Sequence, residues 1–320
     1  MRYVRIISIA ALFLSACSDD GTPPADTQVT DKGVDAAVDG PTVDGSAPSP
    51  REYVVSSMVV PTSQADTEKY GHDYDNDQQP DNALGAILTA LSAAVTSLDL
   101  QGTMNQNLYN GKVVMLMRLA AKDFATDPGA TLQAWTGEEA TCCGALPCSE
   151  ADAKATCFSG SHSFKVAATS AQNAVLSGAI SGGVAELGPG EIDVLLPIGF
   201  YPTRVTLKQA RLWATIDASG LLNGKVTGVV TKTDLDTKVI PAVAQVLDGE
   251  LNQTGQSQQV KDLIKNLFDT NDDDTIDASE VADNGLIKVL LAGDVDVDND
   301  GTQELSAGVG FTAVGCTVVP

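Results

Sequence analysis

The segment Val205–Ile216 reads VTLKQARLWATI and alternates apolar and polar residues along most of its length. An alternation with a period of two places the apolar side chains on one face of a β-strand. A turn signal, Ser219-Gly220, follows, and Gly224–Val230 then offers a second apolar run. The sequence therefore predicts a long antiparallel hairpin with one buried face, and Trp213 is expected to pack in or over that sheet.

Further strands and helices are predicted on both sides of this hairpin. Strands are predicted at Tyr53–Val60, at Lys112–Leu119, which is too apolar for a sheet edge, and near 307–318, within a chain that is β-rich from 161 to 233. Helices are predicted from a cap at Asn82 to about Thr96, at about 235–250 and at 257–268. We expect an α+β fold, an antiparallel sheet or sandwich with flanking helices and acidic loops beside it.

The segment Asp269–Glu280, which reads DTNDDDTIDASE, carries the clearest chemistry in the chain. Its oxygen-bearing residues fall at positions 1, 3, 5, 7, 9 and 12 of an EF-hand calcium loop, a spacing that surrounds a hard cation with six or seven oxygens. The candidate calcium ligands are Asp269, Asn271, Asp273, Thr275 through its carbonyl, Asp277 and Glu280. Position 6 is Asp274 instead of the usual glycine, but aspartate tolerates a left-handed backbone.

Amphipathic segments flank this loop and define an EF-hand at 257–292. Upstream, apolar residues recur with helical spacing on one face, and they are Val260, Leu263, Ile264, Leu267 and Phe268. Downstream, Leu286–Leu291 suits an exiting helix, which Asp283-Asn284-Gly285 is expected to break one turn after Glu280. The alternative interpretation is an acidic, solvated surface turn.

Two shorter acidic segments resemble the DxDxD calcium loops of dockerin-like and thrombospondin-type modules. The first offers the candidate ligands Asp73, Asp75, Asp77, Gln79 and Asp81, and the second offers Asp296, Asp298, Asp300, Thr302 and Glu304. Position 12 is Leu84 in the first segment and Ala307 in the second, so neither has the bidentate carboxylate of an EF-hand. An acidic linker turn is the alternative for each segment.

The first fifty residues predict export and lipid anchoring. Residues 1–16 combine two arginines with a short apolar run and predict a signal peptide, and Leu14–Cys17 (LSAC) matches a bacterial lipoprotein signal-peptidase box. Cleavage before Cys17 leaves a lipidated cysteine, and residues 17–50, rich in Asp and Pro, predict a disordered tether. A globular calcium-binding domain is expected at 51–320. The predicted location is the bacterial cell envelope, as an outer-membrane-anchored lipoprotein that is periplasmic or surface-exposed.

The formal charge of −23 bears on partners. Such a charge disfavours nucleic acid and favours divalent cations, so Ca²⁺ is the expected cofactor and the membrane is contacted through the lipid.

The cysteines indicate an oxidising compartment. Cys142, Cys143, Cys148 and Cys157 lie within sixteen residues, and two local disulfides with three alternative pairings are expected. Adjacent cysteines rarely pair, which favours Cys142 and Cys143 each taking one of Cys148 and Cys157. A zinc site that includes His162 is the alternative, and Cys316 is left as a buried free thiol in the last strand.

Several motifs together resemble a family of bacterial proteins. They are the lipobox, the Asp-rich tether, DxDxDxxxDNALG at Asp73–Gly85, FDTNxDxxxxxxEV at Phe268–Val281, and DVDxDxDG before a glycine-rich strand at Asp294–Gly310. The chain resembles the EF-hand-containing predicted surface lipoproteins of myxobacteria and related bacteria. This resemblance implies calcium binding and surface display, without an activity.

Three functional hypotheses follow from the sequence. The first is a non-enzymatic, calcium-binding surface lipoprotein in which calcium is a structural clamp. The second is a calcium-dependent module that binds a polysaccharide or a protein, for which Tyr70 and Tyr74 lie beside the first acidic segment. The third is a hydrolase, although the chain has only His72 and His162 and no GxSxG, HExxH or phosphate-loop pattern.

Overall fold

Eight antiparallel strands form the centre of the molecule in the computed structural model, which describes residues 50–94, 99–196, 202–254 and 256–320. They close into a barrel. In order around it, the strands are β1 Arg51–Val59, β2 Met115–Ala120, β3 Thr126–Thr136, β5 Val175–Ser181, β6 Val184–Leu196, β7 Thr203–Ile216, β8 Gly220–Val230 and β9 Leu305–Gly315. A separate parallel pair is formed by β4, Ser163–Lys165, and β10, Thr317–Val319. The fold is thus α+β with a large antiparallel sheet, as expected.

The predicted hairpin is confirmed. Strands β7 and β8 pair in antiparallel register from Ile216 opposite Leu221 to Leu207 opposite Val230. Buried residues alternate along β7 and include Leu207, Leu212 and Ala214. The register shifts between Lys208 and Arg211, where Gln209 adopts a positive φ of 50°. A bulge of this kind changes the direction in which neighbouring side chains point.

The sheet closes on itself instead of splitting into two packed layers, so the sandwich alternative was wrong. Closure is made by β9, which pairs with β8 on one side and with β1 on the other, from Tyr53 opposite Gly315 to Val59 opposite Gly310. As predicted, β2 is not an edge strand, since it pairs with both β1 and β3. It begins at Met115, three residues later than expected.

Helices lie around the barrel. Their bounds are α1 Gln64–Tyr70, α2 Ala83–Ala94, α3 Leu100–Tyr109, α4 Glu150–Ala155, α5 Lys232–Asp234, α6 Ile240–Asn252, α7 Gln258–Phe268, α8 Ala278–Asp283 and α9 Gly285–Leu290, with a π-helical turn at Leu235–Val239. The predicted helices correspond to α2, α6 and α7, and the predicted break after Glu280 separates α8 from α9. Helices α1, α3 and α4 and strand β3 were not predicted. No helix in the described ranges is long and apolar enough to cross a membrane.

Within the part of the chain that the structure describes, two apolar clusters hold these elements together. The larger cluster fills the barrel and reaches the helices packed on it. The smaller cluster joins α6, α7 and α8, and its members are Ile240, Ala244, Leu251, Ile264, Phe268, Ile276 and Val281. We call α6–α9 with their connections the helical unit. Segment Asp269–Glu280 lies in this unit, whereas the two shorter acidic segments adjoin the barrel.

Some predictions fall outside the described residues. These are the signal peptide at 1–16, the lipidated Cys17, the tether up to residue 49, and Val95 and Thr96 at the end of the predicted helix.

Candidate metal centre

Three acidic loops contain the predicted metal ligands, and the first and third have the same base. We number them loop 1 (Asp73–Asp81), loop 2 (Asp269–Glu280) and loop 3 (Asp296–Glu304), and we count positions from the first aspartate. In loops 1 and 3 the residue before position 1 pairs in a β-bridge with position 9, His72 with Asp81 and Val295 with Glu304. Both backbone hydrogen bonds of each bridge form, with N–O distances of 2.7–3.3 Å.

The first seven positions have one hydrogen-bonding pattern in all three loops. The position 1 carboxylate accepts from the backbone N–H groups of positions 5 and 6 at 3.0–3.2 Å. The position 3 side chain accepts from the N–H of position 5 at 2.9–3.3 Å. The position 5 carboxylate accepts from the N–H of position 7 at 2.7–2.9 Å. In each loop these contacts turn side-chain oxygens toward a common interior.

The backbone conformation agrees with this pattern. Positions 4 and 6 have positive φ in every loop, between 58° and 86°. The residues at position 6 are Gln78, Asp274 and Gly301, so only loop 3 has the glycine that suits this conformation at no steric cost. The side chain of Asp274 forms an ion pair with Lys265 of α7. The left-handed turn expected at Asp274 is therefore present, and a lysine neutralises the extra charge.

The loops differ in the residue that closes them. In each loop one carboxylate near the end of the segment accepts from the backbone N–H of position 2, and we call this residue the closing acid. In loops 1 and 3 this carboxylate comes from position 9, with Asp81 at 2.6 Å from the Tyr74 nitrogen and Glu304 at 3.4 Å from the Val297 nitrogen. In loop 2 it comes from position 12, where Glu280 lies 2.8 Å from the Thr270 nitrogen. The acid missing from position 12 of the shorter loops is thus replaced by an acid at position 9.

Glu280 reaches loop 2 from the first turn of α8. Asp277 caps that helix by accepting from the Glu280 N–H, and Glu280 Oε2 accepts from the Asp277 N–H at 3.1 Å. This reciprocal capping box fixes the start of α8 and buries Glu280 to 5% exposure. Ile276, at position 8, is buried against α6, and its N–H donates to Asp248 Oδ1 at 3.2 Å. Loop 2 is therefore held by three helices.

Carboxylate oxygens come closest together in the two shorter loops. Among the described residues, ligand atoms that all lie within 4.8 Å of one another are found in Asp73, Asp75 and Asp81, and in Asp296, Asp298 and Asp300. The acids of loop 2 form no such group, although loop 2 has the most complete ligand spacing in the sequence. The other predicted ligands of these two loops lie outside the close groups, and they are Asp77, Gln79, Thr302 and Glu304.

In the acidic loops, the pKa values of the closing acids Asp81 and Glu304 are shifted upward, whereas those of position 5 acids are shifted downward. Burial raises the pKa of Asp81, and burial followed by nearby carboxylates raises the pKa of Glu304. At position 5, the Thr275 hydroxyl holds the pKa of Asp273 below its usual value, and the Thr302 N–H does the same to the pKa of Asp300. The Ser279 hydroxyl likewise lowers the pKa of Asp277. The closing acids of the shorter loops therefore carry charge at a cost that a bound cation would relieve.

Loops 1 and 3 are joined by a hydrogen-bonded frame. The Asn82 side chain, 3% exposed, accepts from the Gly308 N–H at 2.9 Å and donates to the Gly308 carbonyl at 3.0 Å. The Ser306 hydroxyl accepts from the Ala83 N–H at 2.8 Å and donates to Asp294 at 2.5 Å. Gly308 must be glycine because a Cβ there would lie 2.0 Å from the Tyr70 carbonyl oxygen. The end of loop 1 is thereby fixed to the strand that leaves loop 3.

A polar cleft of about 730 Å³ lies between loops 1 and 3. Its walls include Asp73 and Tyr74 of loop 1 and Asp296 of loop 3, and Gln209 and Arg211 of β7 also line it. The Tyr74 hydroxyl is hydrogen-bonded to Thr227 at 2.9 Å, and the His72 ring packs against Tyr74 with centroids 4.8 Å apart. Sequence reasoning missed Arg211, Gln209 and Ser306, although the bulge at Gln209 interrupts the alternation of Val205–Ile216. It predicted Asn82 as a helix cap, and Asn82 Oδ1 does accept from the Gly85 N–H at 3.0 Å, but its contacts with Gly308 were not predicted.

The cysteines pair as the adjacency argument favoured. Disulfides join Cys142 to Cys157 and Cys143 to Cys148. The zinc alternative with His162 was therefore wrong, because no thiolate remains among these four residues. Cys316 is free and half-buried between β9 and β10, and burial raises the pKa of its thiol to about 12.

Comparison with known proteins adds no relative: no protein-family model, curated protein or solved structure matches this chain.

Proposed function

We propose that this protein is a non-enzymatic, calcium-binding lipoprotein of the bacterial cell envelope in which the ions clamp the fold. The observation that carries the proposal is the hydrogen-bonding pattern shared by the three loops. In three segments of different sequence, side-chain oxygens at positions 1, 3 and 5 accept from the same backbone N–H groups, and a carboxylate accepts from the N–H of position 2. We would not expect solvated acidic turns of different sequence to share this arrangement.

The proposed ligands are oxygens throughout, as calcium prefers. In loop 2 they come from Asp269, Asn271, Asp273, the Thr275 carbonyl, Asp277 and Glu280. In loop 1 they come from Asp73, Asp75, Asp77, the Gln79 carbonyl and Asp81, and in loop 3 from Asp296, Asp298, Asp300, the Thr302 carbonyl and Glu304. Calcium accepts six to eight oxygens in flexible geometry, whereas magnesium demands a near-ideal octahedron. Loops 1 and 3 leave more positions for water than loop 2 does.

Charge repulsion supports a bound cation. Three carboxylates of loop 1, and three of loop 3, have oxygens within 4.8 Å of one another. At that distance each pair of charges repels by about 3–4 kcal/mol for an effective dielectric constant near 20. A divalent ion converts this repulsion into attraction, so we expect ion binding and local folding to be coupled.

The proposed clamps act on specific elements. In loops 1 and 3 an ion would hold the α1–α2 connection against the start of β9, beside the frame of Asn82 and Ser306. In loop 2 it would hold α7 to α8. The N-terminal lipoprotein box with Cys17 and the resemblance to surface lipoproteins of myxobacteria support the envelope location, from which the ions would be taken.

Thermal unfolding of the purified chain with 1 mM calcium or with a chelator tests the clamp. With a dissociation constant of about 10 μM, each site would add roughly 2.7 kcal/mol at that concentration. We expect a higher midpoint in calcium, a smaller rise in magnesium, and three calcium ions per chain by native mass spectrometry. An unchanged midpoint together with no bound metal would refute the proposal.

The lipid anchor has a separate test. Expression in a bacterial host with labelled palmitate should label the wild-type chain and fail to label Cys17→Ser. Label retained in the variant would contradict the assignment of Cys17. Calcium binding by the variant should be unchanged, so lipid anchoring and calcium binding are tested independently.

A further inference from the structure

The polar cleft between loops 1 and 3 has a floor formed by the outer face of β7. Arg211 lies between the buried residues Ala210 and Leu212, so its side chain projects from the outside of the barrel, and it lines the cleft together with Gln209. The positive φ of Gln209 marks the bulge that sets this part of the floor, and the Gln209 carbonyl accepts from the Tyr74 hydroxyl at 3.3 Å. This hydrogen bond connects β7, which forms the floor of the cleft, to Tyr74 of loop 1, which forms part of its wall.

Arg211 is the feature that acidic loops alone do not explain. Carboxylates of loops 1 and 3 line the same cleft, yet within the described ranges no hydrogen bond or ion pair engages its guanidinium. Its positive charge acts on His72 and Tyr74 only through space. A guanidinium presents five N–H donors in a fixed plane. Because Arg211 lines the cleft, a ligand there can accept from those donors.

The rest of the lining sets the chemistry of the occupant. Side-chain amides, which both donate and accept, come from Asn76, Gln209, Asn299 and Gln303. Carboxylates add further acceptors, and Arg211 adds donors. Asp73, Asp75, Asp294 and Asp296 line the cleft against one arginine, so an anionic ligand would be repelled. A cationic ligand would compete with the calcium ions for the same carboxylates and would leave the Arg211 guanidinium without an acceptor. A neutral ligand with many hydroxyl groups can satisfy both sets, because each hydroxyl donates and accepts.

The wall and the volume agree with this class of ligand. The rings of His72 and Tyr74 lie edge to face on one side of the cleft, and Tyr74 is fixed through its hydroxyl to Thr227. A sugar ring presents C–H groups that pack against aromatic rings. The volume of about 730 Å³ lies in the usual range for small-molecule sites.

We infer that the cleft binds a neutral oligosaccharide, whose hydroxyls contact Arg211 and the amides and complete the coordination of the ions at loops 1 and 3. The last part rests on the proposed function. Asp73, Asp75 and Asp296 belong to the close carboxylate groups and also line the cleft. Because these loops lack a position 12 acid, an ion there would keep coordination positions for ligand oxygens.

The test uses the calcium-loaded full chain, with three bound ions first verified by native mass spectrometry. Saturation-transfer NMR is recorded with neutral oligosaccharide mixtures made by partial hydrolysis of dextran, laminarin, mannan, galactan and xylan. We expect transfer to at least one mixture, its loss on chelation, and a dissociation constant at least tenfold weaker in Arg211→Gln. Lys208→Gln, which removes one charge from an exposed position of the same strand, is the matched control and should bind as the wild type does.

The outcomes separate this inference from the proposed function. Bound ions without transfer to any mixture would overturn the inference and leave the calcium proposal intact. Preferential transfer to oligogalacturonate or to a lysine-rich peptide would overturn the assignment of a neutral ligand. Binding that survives chelation, or that is equal in Arg211→Gln and wild type, would also contradict it. Absence of bound ions would instead be a failure of the calcium proposal.

Discussion

Loops 1 and 3 on the barrel and loop 2 in the helical unit have the same hydrogen-bonding pattern in their first seven positions. They differ in the residue that closes them. The shorter loops close at position 9, beside a β-bridge that extends from the barrel. Loop 2 closes at position 12 with a glutamate supplied by α8. In the barrel loops three carboxylates are already close together, whereas in loop 2 they are not. The same starting motif is thus preassembled by a sheet in one place and depends on helix packing in the other.

Among the substitutions that test this difference, Phe268→Ala is expected to have the largest effect. Phe268 is buried in the apolar cluster of the helical unit, directly before Asp269. Removing its ring should cost about 3–5 kcal/mol. We expect faster hydrogen exchange in α6–α8 with unchanged protection in the barrel strands, and the loss of one bound calcium ion. Phe124→Ala, at a half-buried barrel-side position, is the control, and loss of all the ions in Phe268→Ala would show that the loops are not independent.

Glu280→Gln tests closure of loop 2 without removing a core side chain. A neutral amide oxygen replaces the only carboxylate at position 12, so we expect calcium affinity at loop 2 to fall on the order of 100-fold, which is about 2.7 kcal/mol. Asp272→Asn is a matched control, since it removes one charge from the same loop at position 4, where asparagine tolerates the positive φ. Calorimetric titration of both variants measures the difference. Equal losses would mean that total charge, and not closure, determines affinity.

Asn82→Ala tests the frame that joins the barrel loops. The substitution leaves the buried N–H and carbonyl of Gly308 without partners, at a cost of about 1–3 kcal/mol. Asn82 is not a proposed ligand, yet we expect weaker calcium binding at both barrel loops and unchanged binding at loop 2. Asn266→Ala, at an exposed position of α7, is the control. A loss confined to loop 1 would show that the frame does not couple the two loops.

The sequence predicted local structure well where its pattern was itself local. The hairpin β7–β8 follows from the alternation around Trp213, and the break between α8 and α9 follows from Asp283-Asn284-Gly285. The pairing of Cys142 with Cys157 and of Cys143 with Cys148 agrees with the geometric cost of joining adjacent cysteines. Each of these depends on residues that are close together in the sequence.

What the sequence did not predict depends on contacts between distant residues. Closure of the barrel requires Tyr53 to meet Gly315, a register that no local alternation specifies. The role of Asn82 depends on Gly308, more than two hundred residues away. Closure of the barrel loops at position 9 had a signal, since Asp81 and Glu304 both occupy that position, but the EF-hand pattern directs attention to position 12. Ligand spacing alone therefore ranked loop 2 first, although the close carboxylate groups occur in the other two.

Glu304→Gln gives the smallest and most diagnostic effect, because its sign should depend on calcium. Burial raises the pKa of Glu304 in the folded protein, so without calcium its contribution to stability is complete below the usual glutamate pKa and is lost as pH rises through the raised pKa. At pH 7 the calcium-free variant should therefore be as stable as the wild type or slightly more stable, by less than about 1 kcal/mol. In calcium the order should reverse, because the variant loses the closing carboxylate of loop 3, and at pH 5 the calcium-free difference should shrink. Thermal melts at both pH values, with Glu139→Gln as an exposed control, measure these signs. A variant that is destabilised without calcium and retains the full calcium response would identify Glu304 as a structural cap for the Val297 N–H and would leave loop 3 without a closing ligand.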